Sequence, residues 1–439
     1  MKNCDILLKA DCLVTQDDER RVISKGAVAV SGDSILAAGS LEDLAGYTAA
    51  REIDLGPAIL MPGLVNAHTH LPMTLLRGIA DDLPLMEWLT DHIFPLEAKF
   101  TPEILQIGTA LACAEMIRSG TTALFDMYLN EPPVYRTVDQ CGLRARVCES
   151  LFSFPSIGVP DPSKAMDVVR EQAAELKDNP RVKFAVSPHS VYTTTPELLE
   201  NCAALARELK LPISIHLAET ATETEQCLAA HNCRPVELCR RTGILGPHTT
   251  AAHCVELLPE EIDLLAQTQT VIAHNPKSNM KLASGAAPLP ALLAKGARLA
   301  LGTDGASSNN ALNMFSEMTF ASLLQKVTRM DPVVMPAQTV LDMATRGGAD
   351  ALHWPGLGRI MPGSPADMIA LSLSYPNLNP LHDPVSHIVY AASGHELAFS
   401  MVGGKILYTD GAFTSLDYPA LLEEAARIGA WLREQKSAS

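Results

Sequence analysis

At 439 residues, with 47% hydrophobic and 19% charged side chains, the chain is too long for one small domain and suits a large barrel with an accessory domain. A formal charge of −16 with no local basic stripe argues against a phosphate backbone as partner and fits a protein that takes small molecules. No apolar run approaches the ~20 residues a bilayer requires, and Asp5, Lys9 and Asp11 interrupt the N-terminal stretch, so neither a membrane span nor an export signal is expected.

Residues 1–57 read as short strands punctuated by Gly and Asp, in ILLKADCLVT, AVAVSGDSILAAG and REIDLGPAIL. Over 58–362, eight apolar, β-leaning runs follow: ILMPGLVNAH, TTALFDM, RARVCESL, RVKFAVSPH, PISIHLAE, TTAAHC, TVIAHNP and ARLALGTDG. Helical stretches such as PEILQIGTALACAEMIRSG and PELLENCAALARELK separate most of them. Eight βα units in series predict a (β/α)8 TIM-type barrel of the α/β class. A doubly wound sheet would place a glycine-rich phosphate loop after the first strand, and none is present. Residues 363–420 return to β character and are expected to form, with 1–57, a small split β-sandwich-like domain; the alternative is two unrelated appendages. A C-terminal helix is expected over 421–439. Ten scattered cysteines without a CxxC pair predict free thiols and a reducing cytoplasm.

Polar residues collect at the ends of the eight runs. His68 and His70 end the first, His189 the fourth, His216 the fifth, His253 the sixth, His274 the seventh and Asp304 the eighth. In a barrel those ends converge on one mouth, where catalytic groups gather. A single histidine there is usually a satisfied core residue, but placement at six of eight ends marks a site. His68 and His70 are two positions apart, which on an extended strand turns both rings to the same side. With His216 and Asp304 they make three imidazoles and one carboxylate, a set that leaves a catalytic Zn²⁺ or a similar ion one open coordination position.

PGLVNAHTH, HLAET, AHC, HNPKSNMKLASG and GTDGASSNN together resemble the metal-dependent amidohydrolase superfamily. More narrowly, the chain is similar to the 5′-methylthioadenosine/S-adenosylhomocysteine deaminases, and the resemblance covers nearly its whole length. It implies one Zn²⁺ or Fe²⁺ per subunit on His68, His70, His216 and Asp304. Binuclear members bridge their ions with a carbamylated lysine at the fourth strand end; here that run ends in SPHS and Lys183 lies at its beginning, so a single ion is expected. Relatives often assemble as dimers or tetramers, and a homo-oligomer is the corresponding expectation.

A divalent ion lowers the pKa of water from about 15.7 to about 7, roughly 12 kcal/mol in deprotonation free energy. Attack at C6 of adenine also needs a proton at N1 and another on the departing ammonia. Glu219, three residues beyond His216, matches the family's proton-shuttling Glu; its bland reading is a loop acid or a cap for the helix beginning near Thr222. His253 would orient the nucleophile across the mouth and stabilise developing charge. Asp304 would serve both as ligand and as acceptor of the water proton. By resemblance, Glu97 binds the ribose hydroxyls and His189 contacts the sugar or base. Trp88, on the loop that carries Glu97, would pack against the nucleoside or simply against the fold.

The family's better-studied members hold the substrate's far end with arginines near the third strand. Arg144 and Arg146 lie inside that run here, and LFSFPS follows with no arginine, which leaves the 5′ end without an assigned partner. His274, Asn275, Ser278 and Asn279 are read as a hydrogen-bonded turn. His92, His231, His248, His353, His382, His387 and His395 have no motif context and are assigned no role. The competing activities are deamination or dechlorination of guanine, a cytosine-like base or an s-triazine at the same site. A non-catalytic metal-binding scaffold is the alternative from another class, and the presence of both Glu219 and His253 weighs against it.

Overall fold

Strands from both chain ends share one nine-stranded sheet in the computed structural model, which describes residues 2–437. Lys2–Val14 pairs antiparallel with Val22–Ser31, which pairs with Ser34–Ser40. Ala58–Pro62 bridges this set to Met368–Ser372, and Leu397–Val402 and Lys405–Thr409 extend it. Successive side chains of a strand point to opposite faces, and here both faces are covered. Val28 and Val30 pack with Leu8, Leu60 and Met401, while Ala27 and Ala29 pack with Leu7 and Leu44. The chain ends on the helix Tyr418–Ser437. Residues 438 and 439 of the helix expected over 421–439 lie outside the described residues, as does Met1 of the expected β domain.

The run ILMPGLVNAH divides at Gly63. Ala58–Pro62 stays in the chain-end sheet, whereas Leu64–Thr69 pairs in parallel with Thr121–Tyr128. A Cβ on Gly63 would sit 1.9 Å from Thr122 Oγ1, so only glycine lets the chain pass so close to its neighbour strand. Gly63→Ala is therefore expected to cost about 1–3 kcal/mol through forced displacement of a buried strand. Urea unfolding checks this, and an unchanged midpoint would refute it.

The remaining runs form the predicted parallel strands in order: Arg144–Leu151, Val182–Phe184 with Ser187–Pro188, Ile213–Leu217, Thr249–His253, Val271–His274 and Arg298–Leu301. Threonine N-caps open three of the intervening helices, two of them with proline in the first turn. Thr101 accepts from Ile104 N before Pro102–Arg118, and Thr195 accepts from Leu198 N before Pro196–Leu209; a proline occupies the first turn of each.

The expected closed cylinder is not one continuous ladder. The strands form a five-stranded and a four-stranded arc. On one side the arcs meet through isolated parallel bridges, Val186 to Ile213 and Ser190 to His216. On the other, Asp304 N donates to His68 O at 2.9 Å. No helix among the described residues is long and apolar enough to cross a membrane, and all ten cysteines are free and buried.

Candidate metal centre

The C-terminal ends of the parallel strands bring their polar residues together between the two arcs. Ordinary strand geometry does not aim all of these side chains. His253 and Asp304 hold left-handed backbone, with φ of 73° and 61°, as does Ala218 beside His216 and Glu219, with φ of 50°. Such conformations cost of order 1–3 kcal/mol each in non-glycine residues and persist where surrounding structure enforces them. Glycines flank Thr303 and Asp304, where a sharp turn would be expected to fall on them. Instead, Asp304 itself takes the turning conformation, and Gly302 serves close approach: a Cβ there would lie 2.8 Å from His68 N. Asn66 ties the same junction, accepting from Thr303 N at 3.0 Å and donating to Thr303 Oγ1 at 2.7 Å.

Ligand-type atoms of His68, His216, His253 and Asp304 all lie within 4.8 Å of one another. His70 joins this group, its Nε2 3.0 Å from Asp304 Oδ1 and 3.3 Å from His216 Nε2. His68 Nε2 is 3.4 Å from the same Asp304 oxygen. Five side chains thus converge where four were expected, and His253 is the addition.

The other atoms of these residues are occupied in a way that suits a cation. His70 Nδ1 donates to Met127 O, and His216 Nδ1 donates to His189 O at 2.8 Å. Each bond fixes the tautomer that leaves the Nε2 lone pair facing the group, the usual outer-shell support of a metal-binding imidazole. His253 Nδ1 donates to Asn279 Oδ1 at 2.8 Å. Asp304 Oδ2 accepts from Ser278 Oγ at 2.6 Å and from Ser308 Oγ at 2.8 Å, so Oδ1 is turned to the histidines. His68 Nε2 is buried with no hydrogen-bond partner, which is costly unless its lone pair meets an ion. The residues fit a divalent metal.

The electrostatics agree. Burial pulls the His68 ring down to about 4 and the His216 ring well below the ordinary histidine value, so both are neutral donors. Burial acts against charge on His70 as well, but the Asp304 carboxylate overrides it and holds that ring up at about 9. Asp304 is held far below the usual carboxylate range, because its close contacts with the His68 and His70 rings outweigh its own burial. The group favours one positive charge beside Asp304.

A pocket opens over the centre, lined by His70, His216, His253 and Asp304 together with Glu97, Glu219, His189 and Trp88. Glu219 is buried, with a carboxyl oxygen 3.8 Å from His253 Nδ1. Burial pushes its carboxyl above the usual range. It is not the cap of the following helix. Thr220 caps Ala221–His231, and Glu223 accepts from Ala218 N at 3.0 Å and Glu219 N at 2.7 Å, pinning the backbone that carries Glu219. Glu97 is 2% exposed and accepts from Tyr128 OH at 2.5 Å, and burial pushes it up to about 7. Trp88 Nε1 is buried without a hydrogen-bond partner.

Sequence reasoning treated Ser278 and Asn279 as turn-builders, yet they clamp Asp304 and His253; their place in HNPKSN right after a site strand was the available signal. It missed Ser308, Glu223 and Tyr128, of which only Glu223 had a local cue, the Thr-x-x-Glu spacing of a helix start. His274 is buried with both ring nitrogens unpaired, so its ring takes no part in a hydrogen-bonded turn. Lys183 lies 4.1 Å over the Trp354 ring and does not line the cavity, in keeping with a single ion. Arg144 pairs with Asp367 at 2.8 and 2.9 Å, and Arg146 donates to the carbonyls of Leu352 and Phe184. Neither reaches the cavity. None of the seven histidines without motif context lines it.

Residues 59–407 match the model of the amidohydrolase family. The chain is 55% identical, over 98% of its own length and of the relative's, to a 5-methylthioadenosine/S-adenosylhomocysteine deaminase of Nitratidesulfovibrio vulgaris. It is 46% identical to a 5'-deoxyadenosine deaminase of Methanothermobacter thermautotrophicus, covering 87% of this chain and 89% of the other. The crystal structure of an adenosine deaminase from Xanthomonas campestris with bound zinc superposes with a TM-score of 0.96 at 36% identity, covering both chains fully.

Proposed function

Because the chain belongs to the amidohydrolase family, we propose that it deaminates an adenine nucleoside by hydrolysis at C6, giving an inosine-type product and ammonia. The names of the three relatives share an adenine nucleoside and differ in its 5′ group. The observation that carries this reading is a single cavity in which the His/Asp group, a buried raised-pKa carboxyl at Glu219 and a buried carboxyl at Glu97 face one another. On this reading the two arcs are the walls of a TIM-type barrel within 58–362, and Ala58–Pro62 joins 1–57 and 363–420 in its accessory β domain.

His68, His70, His216 and Asp304 hold the ion, with Zn²⁺ favoured by the three imidazoles and single carboxylate and Fe²⁺ as the alternative. What such an ion supplies is Lewis acidity, which makes water a nucleophile near neutral pH. Water adds at C6 with its proton taken by Asp304, while Glu219, whose carboxyl burial raises above its usual range, donates to N1. Asp304 passes the water proton to the amine, the C6–N bond breaks to release ammonia, and the C6 hydroxyl proton returns to Glu219 as the carbonyl forms. His253, fixed through Asn279, orients the water and stabilises charge at the new tetrahedral centre. Glu97 accepts from the ribose hydroxyls, His189 contacts the sugar or base, and Trp88 offers its ring and an unpaired N–H to the nucleoside. Purified, metal-loaded protein incubated with 5′-methylthioadenosine, S-adenosylhomocysteine and adenosine should lose adenine absorbance. No turnover of any of the three would overturn the reading.

Two further results are expected. His70→Ala should release the metal while His253→Ala retains it, as read by elemental analysis, because His70 Nε2 contacts both Asp304 and His216 whereas His253 is turned by Asn279 toward Glu219. Metal loss in His253→Ala alone would exchange those two roles. Glu97→Ala should raise KM for ribonucleosides about tenfold or more, the effect of losing hydrogen bonds to a charged acceptor. An unchanged KM would remove the ribose role and give free-base rings more weight.

A further inference from the structure

The deamination reading orients the nucleoside: C6 faces the metal group and Glu219, and the ribose faces Glu97. The cavity wall left for the 5′ substituent is apolar, formed by Leu85, Leu89, Phe94, Leu129 and Phe152. Aromatic rings continue this wall without a break from the centre to solvent. His216 lies 4.6 Å from His189, His189 lies 4.7 Å from Phe152, and Phe152 lies 4.9 Å from Phe154, with the last two pairs tilted by 31° and 32°. Phe94 meets both phenylalanines edge-on, at 6.1 and 6.3 Å. Phe154 is 41% exposed, a large apolar ring kept at the outer end of the series.

Charge along the same path has one sign. Among the described residues no lysine or arginine lines the cavity, while Glu97, Glu219 and Asp304 do. A 5′ group ending in an amino acid would bring a carboxylate toward acids and apolar rings with no cation to receive it. A methylthio group or a bare 5′ carbon needs no polar partner and buries its surface on the rings. A 5′ hydroxyl falls between, since it must give up water without a replacement.

We infer that Phe94, Phe152 and Phe154 form the 5′ subsite and make the enzyme selective for nucleosides with uncharged, apolar 5′ groups over S-adenosylhomocysteine. This rests on the deamination reading, and the experiment separates the two. Steady-state kcat/KM is measured side by side for 5′-methylthioadenosine, 5′-deoxyadenosine, adenosine and S-adenosylhomocysteine. The first two should exceed the last by about tenfold or more, with adenosine between them. Turnover of S-adenosylhomocysteine within about threefold of 5′-methylthioadenosine overturns the selectivity and leaves deamination standing. If none is turned over, deamination falls. Isothermal titration with the same compounds then still reads the subsite: tighter binding of 5′-methylthioadenosine supports it, and equal binding overturns it. Phe154→Arg, at an exposed position that the fold tolerates, should shift the ratio toward S-adenosylhomocysteine by several-fold. An unmoved ratio in a variant of normal metal content overturns the place of Phe154 in the subsite.

Discussion

Glu219→Gln is expected to keep its metal and to lose about 10²–10⁴ of kcat, the usual worth of positioned acid–base assistance. The amide has the shape of the acid, and Glu223 holds the backbone at 218 and 219 from outside the cavity, so the local structure should survive. What is lost is an ionisable proton. Burial raises the Glu219 carboxyl above its ordinary range, which favours its holding a proton for N1, and an amide can neither deliver that proton nor recover one. Elemental analysis and steady-state kinetics on the same preparation decide the matter. Normal kcat with full metal would end the proton-carrier role. Loss of the metal would make Glu219 part of what holds the centre together.

Asp304→Ala should strip the metal and abolish turnover together. Its Oδ1 is the acceptor on which His68 and His70 converge, at 3.4 and 3.0 Å, and it is the only carboxylate in the converging group. Its loss also removes the counter-charge that holds the His70 ring up at about 9, leaving burial to drive that ring neutral. Ser278 and Ser308 would lose their shared acceptor as well. A variant with full metal content would show that the histidines suffice and would reduce Asp304 to a proton acceptor. A folded variant without metal, its unfolding transition intact, separates loss of the ligand from loss of the protein.

Local pattern made much of this legible. Alternating apolar runs and helical stretches predicted the βα order, and threonine followed by proline marks the starts of Pro102–Arg118 and Pro196–Leu209. The two-residue spacing of His68 and His70 put both rings on one side because strand side chains alternate. Glu219 and Glu97 stood out beside recognisable motifs, and both face the cavity. By contrast, nothing near Arg144 or Arg146 in the chain announces that Asp367 and the Leu352 carbonyl take them up on the far side of the fold. Nor does any local signal pair Tyr128 with Glu97, 31 residues apart, or divide one apolar run between two sheets at Gly63.

The sequence by itself determined the order of elements, the candidate metal-binding side chains and the side of the strand on which the first two lie. Those are consequences of spacing, and spacing is local. Only the tertiary structure decided that His253 comes within reach of the same group, that Ser278, Ser308 and Asn279 turn the site's polar atoms inward, and that phenylalanines rather than arginines line the outer wall. Those depend on the register between strands far apart in the chain and on left-handed turns at their ends. Hydrogen bonds and ring contacts act over a few ångströms, so their partners exist only once distant segments have been brought together.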